Sequence, residues 1–168
     1  MRIEKIIGNK EKIEEYYNNY LTKKLIIKSN NPQILKKAHI EKAKHNLNFS
    51  QEILNLNEYS DWIIVSLYYT LYHSFLSLLE HKGYSSKNHN ATLVFVLKHY
   101  VEFEEEELEL FNNLKISEED AIFYTSLKEK RNEASYSTKT KFNDDDIESL
   151  LNDVKKLLVK ITNIINDD

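Results

Sequence analysis

The chain has 168 residues, a net charge of -4 and no cysteine. That length suits one domain able to bury a core without staples. The missing cysteine excludes disulfides, thiolate metal sites and a cysteine nucleophile, and the acidic balance excludes a globally basic nucleic-acid binder.

Two glycines and one proline leave few points at which helices break. The opening residues hold no apolar run of signal-peptide length, so the expected address is the cytoplasm. Ile3 to about Lys28 reads as an amphipathic helix with Ile6, Ile13, Tyr17, Tyr20 and Leu21 on one face. Asn31 then offers a cap and Pro32 a first helical residue, opening a second helix to about Leu56. Ser60 is the expected cap of the most apolar helix, Trp62–Leu79. Its Ser66, Thr70, His73, Ser74 and Ser77 mark it as a core helix, and no membrane span is expected.

Gly83 closes that helix where a left-handed residue is needed, and Tyr84 to Asn88 form a short loop. A fourth helix runs from about Asn90 to Val101, followed by an acidic run, Glu102 to Glu109, that reads as a solvated face. Ser117 and Asp120 resemble a capping box for a helix to about Tyr136. A polar linker from Ser137 precedes a last amphipathic helix through Ile147, Val154, Ile161 and Ile165. No strand-like alternation is visible. The expected fold is all-α, a single helical bundle of five to six helices.

No zinc helix, phosphate loop or dinucleotide fingerprint is present. Glu41 and His45 share a helix face and His81 and His89 flank a turn, but neither pair makes a convincing metal site, and no metal or cofactor is expected. Two features point to chemistry. Ser66, Thr70, His73 and Ser77 form the one polar stripe on the apolar helix, either a tight helix contact or a wall on which His73 looks into a cleft. Arg131 falls on the apolar stripe of Phe123, Leu127 and Ala134, where a permanent charge needs a partner. Asp61 or Glu80 on another helix, or an anionic ligand such as phosphate, fits that need.

The run Asp61-Trp62-Ile63-Ile64-Val65-Ser66-Leu67-Tyr68-Tyr69-Thr70-Leu71-Tyr72-His73, the Gly83 turn, Lys87-Asn88-His89 and Arg131-Asn132-Glu133-Ala134-Ser135-Tyr136 together resemble the HEPN superfamily, in its branch of small stand-alone proteins. The resemblance implies an HEPN-like bundle over 32–168, with 1–31 an added N-terminal helix. It also implies a homodimer and a metal-independent ribonuclease using an arginine and a histidine with four to six residues between them. Many such proteins pair with a small nucleotidyltransferase as toxin and antitoxin. Arg131 and Asn132 match the family's arginine and its polar follower.

The histidine does not match. None occurs after His99, and Tyr136 stands in its place. An ordinary tyrosine is a poor base at neutral pH, though it can orient phosphate or, in some family pairs, accept an adenylyl group. His73 and His89, with Lys87, are the candidates to bind substrate from other helices. Three functions follow from the resemblance. The first is a dimeric ribonuclease toxin with Arg131, Asn132 and Tyr136 at its site. The others are a non-catalytic nucleotide- or RNA-binding partner of a nucleotidyltransferase, and a structural adaptor. The face bearing Ser66 and His73 is expected to approach the helix that carries Arg131.

Overall fold

The computed structural model describes residues 6–56, 58–101 and 116–167. Among them lie six helices and one two-stranded sheet: α1 (Lys10–Thr22), β1 (Ile26–Lys28), α2 (Pro32–Leu54), α3 (Ser60–His81), β2 (Tyr84–Ser86), α4 (His89–Tyr100), α5 (Glu118–Tyr136) and α6 (Asp144–Asn166). The fold is an all-α bundle. The acidic run from Glu102 to Glu109 lies outside the described residues.

The N-terminal helix is shorter than its pattern suggests. Asn9 caps it by accepting the Lys12 N–H at 2.9 Å, and Gly8 just before has φ +75°. At the other end Lys24 takes a left-handed turn with φ 54°. The chain then extends into β1, which pairs antiparallel with β2 in the register Ile26↔Ser86, Ile27↔Ser85 and Lys28↔Tyr84. Both the expected helix to Lys28 and the expected loop at Tyr84–Ser86 are corrected by this ladder. Strands of three residues are too short for alternation to betray them.

Pro32 opens α2 as expected, but the Asn31 side chain makes no capping bond. Ser60 is the first residue of α3 and not its cap; Tyr59 holds that position without a side-chain bond. The Ser60 hydroxyl instead donates to the Thr140 carbonyl at 3.1 Å and accepts the Phe142 N–H at 3.0 Å. It thereby fastens the α5–α6 linker to the start of α3. The Ser117–Asp120 capping box forms in full, with bonds of 3.1 and 2.9 Å, and Asp120 also receives Lys160 of α6.

The core is built around α3, which packs on α2, α5, α6 and α4. Leu67, Leu71, Phe75, Leu78 and Leu79 are wholly buried. It is the one helix among the described residues long and apolar enough to cross a membrane, and most of its apolar window is buried inside the fold. The contacts Asn46–Ser66 and His39–His73 show that α2 and α3 run antiparallel. Tyr124–Phe75 and Arg131–Tyr68 show the same for α5 and α3.

Two substitutions test this frame. Leu71→Ala removes a fully buried side chain and is expected to cost about 3 kcal/mol. Gly83 has φ +76° and open space around its missing Cβ, so Gly83→Ala strains only the backbone and should cost about 1 kcal/mol. Urea denaturation measures both; equal losses would contradict the assignment of one to packing and the other to backbone angle.

Candidate functional site

Three tyrosines occupy two turns of α3. Tyr68 is fully buried, stacked on Tyr72 with ring centroids 6.2 Å apart and tilted against Tyr124 of α5 at 5.7 Å. Its hydroxyl lies 2.6 Å from Nδ1 of His89, the first residue of α4, and 3.3 Å from the Tyr124 hydroxyl. Burial pushes the Tyr68 phenol up to about 12 and the Tyr124 phenol well above its ordinary range. Both therefore stay protonated. We assign a chain in which Tyr124 donates to Tyr68 and Tyr68 donates to His89, leaving the imidazole proton on Nε2.

Arg131 lies over this tyrosine cluster, its guanidinium carbon 4.8 Å from the Tyr68 ring centre and 5.7 Å from that of Tyr69. Its Nε is buried without a hydrogen-bond partner, and among the described residues no carboxylate pairs with it. Neither Glu80 nor Asp61 fills that role: Glu80 accepts the Ser85 hydroxyl, and Asp61 has no ion pair among the described residues. Lys128, one turn earlier, donates to Asn90 Oδ1 at 2.6 Å. Burial lowers its pKa first and the charge of Arg131 next. His89 is lowered to about 4 by burial, then by Arg131 and Lys128.

Three nitrogen bases thus converge at the N-terminus of α4, where the helix dipole adds further positive potential. The charge of Glu129 acts against that lowering of Lys128. Such a site favours an anion that accepts several hydrogen bonds, and its donors match a phosphate group.

The residues singled out in the sequence fall in different places. His89 meets Arg131 through Tyr68. Asn132 is exposed, one helical step around from Arg131. Tyr136 is 81 % exposed at the end of α5, five residues on and so roughly 140° around the helix from Arg131. Lys87 is exposed in the turn before α4.

The stripe containing His73 faces α2 and not α5, which corrects the expectation that it approaches the Arg131 helix. Ser66 donates to the Asn46 carbonyl at 2.7 Å, and Thr70 and Ser77 bond back into their own helix. His73 Nδ1 lies 3.0 Å from His39 Nδ1. Tyr72 stands between the two histidine groups, 5.9 Å from the His73 ring and 4.0 Å from that of His89. His81 lies toward Tyr100, away from His89. Among the described residues no group of three or more acids and histidines is placed to hold a metal.

Sequence reasoning missed Tyr68, Tyr124, Lys128 and Asn90. Lys128 and Tyr124 stand three and seven residues before Arg131, which puts all three on one helix face. That signal was present.

A family model described as the HEPN domain matches residues 37–164, well over half of the chain. The chain belongs to the HEPN family. No curated protein matches its sequence. In this HEPN chain the match begins inside α2, so α1 and β1 stand outside it.

The half-buried histidines are expected to make the HEPN bundle acid-sensitive. His73 is lowered to about 4, by burial, then by His39 and Lys42; His39 is lowered by burial, with Glu80 opposing. Above the ordinary value of 6.5 both rings are neutral folded or unfolded. Below it the unfolded chain takes up protons that the fold refuses, so stability is lost as pH falls toward 4. The urea midpoint is expected to fall across that window, with a shallower fall in His73→Gln. Parallel pH curves for the two proteins would rule out this origin.

Proposed function

We propose that this HEPN chain binds RNA, holding a backbone phosphodiester between Arg131, Lys128 and the Nε2–H of His89. The carrying observation is the buried Arg131 Nε left without a partner, beside two further bases and, among the described residues, no paired acid. A charged group in that state is costly unless a ligand completes it.

Binding is favoured over cleavage for a chemical reason. Metal-free cleavage of RNA moves the 2′-hydroxyl proton to a base while an acid protonates the leaving 5′-oxygen. His89 supplies one proton-transfer group. Tyr68 and Tyr124, both pushed upward by burial, do not act as bases at neutral pH. The family resemblance supports a wider role for such a module, as the toxin-like member of a homodimeric system paired with a nucleotidyltransferase.

Fluorescence anisotropy with a labelled single-stranded RNA tests the reading. Arg131→Ala is expected to weaken binding at least tenfold, and Lys128→Ala several-fold. Glu133→Ala, which breaks only a surface pair with Lys139, should leave it unchanged. A bound phosphate favours protonated His89, so affinity should rise as pH drops from about 7 to 5, and His89→Gln should remove that rise. Equal RNA affinity in wild type and Arg131→Ala would dismiss the proposal.

A further inference from the structure

Trp62 is 57 % exposed on a helix that is otherwise almost wholly buried. With Val65 and Tyr69, both half-buried, it follows a spacing of three and four residues, which sets the three on one strip of α3. That strip runs between the face packed on α5, marked by Tyr68 and Phe75, and the face packed on α2, marked by Ser66 and His73. It ends at Tyr69, over which the Arg131 guanidinium sits at 5.7 Å. More than half of Trp62 is left uncovered by the described residues.

We propose that Trp62, backed by Val65 and Tyr69, is a stacking ledge for a nucleobase of the same single-stranded RNA whose phosphate sits at Arg131. The proposal rests on the phosphate reading of Arg131 and adds to it a base-binding position. Seven residues of helix separate Trp62 from Tyr69, about 10 Å along the axis. Ledge and phosphate site therefore address neighbouring parts of one strand.

Charge selects the occupant. An apolar ledge alone would suit a protein partner equally well, but this one leads into bases that have no paired acid among the described residues. A polyanion with flat aromatic faces satisfies both ends at once. Stacking on an indole is tolerant of base identity, so the ledge contributes affinity and register with little sequence preference.

Trp62 is the single tryptophan of the chain, so fluorescence excited at wavelengths beyond tyrosine absorption reports on this ledge alone. The experiment titrates the full chain with a short oligouridylate and with an abasic ribose-phosphate oligomer of equal length. Oligouridylate is expected to quench Trp62 and the abasic oligomer to bind without quenching. By anisotropy with the labelled oligouridylate, Trp62→Ala should weaken binding about tenfold, while Trp62→Phe keeps most of it. A melting curve for Trp62→Ala close to wild type confirms that the loss is local.

Binding that needs Arg131 but ignores Trp62, with no quenching, overturns the ledge and leaves the phosphate reading standing. Binding indifferent to Arg131→Ala overturns both. A Trp62→Ala variant that changes sedimentation behaviour, with no quenching in the wild type, assigns the ledge to a second copy of the chain and also overturns the proposal.

Discussion

The hydroxyls that α3 carries into the middle of this bundle have to find partners there, and that requirement organises the rest of the molecule. Thr70, Ser74 and Ser77 meet it locally by donating to carbonyls of their own helix. Ser66 meets it by donating to the α2 backbone. Tyr68 is too long for either solution. Its hydroxyl reaches Tyr124 on α5 and His89 on α4, so one phenol links three helices. The imidazole is held by that bond, and Arg131 rests on the same ring. The candidate site is thus a by-product of burying a tyrosine in a place where only distant elements can satisfy it.

Much of the fold was legible in the sequence because it is written locally. The apolar run of α3, the glycine after it and the Ser117–Asp120 box each state a helix or its end within a few residues. Strands β1 and β2 were not legible, since three residues carry no period. Ser60 misled because a serine before an apolar run suits a cap and a cross-chain fastener equally well. At the site, Arg131 could be read from its place on an apolar stripe. His89 could be suspected only through a family resemblance, because its partner lies on another helix. The Ser66–His73 stripe shows the limit of periodicity: spacing reveals that a face exists, not which neighbour it meets. Here the neighbour is α2.

The electrostatics of the two histidine groups differ in kind. His39 and His73 face one another as neutral rings, and Lys42 adds to the pressure against charging His73. Their shared environment serves packing between α2 and α3. His89 is held neutral by the same burial but also by Arg131 and Lys128, charges that an incoming anion would neutralise. Protonation of the first group is opposed by its packing and by Lys42; protonation of the second is opposed in part by charges that a bound anion would offset.

The small sheet bears on how the molecule can be divided. The stretch matched by the family begins at residue 37, yet β1 lies before it and supplies the only hydrogen-bonded neighbour of β2 among the described residues. Tyr17 of α1 also lies against Phe95 and His99 of α4. A polypeptide trimmed to the matched residues would bare a strand edge three residues before His89 and uncover the aromatic side of α4. Bare edges recruit strands from other molecules. The segment outside the family match therefore covers the strand edge beside the loop that delivers His89, and its loss is expected to be felt first as self-association.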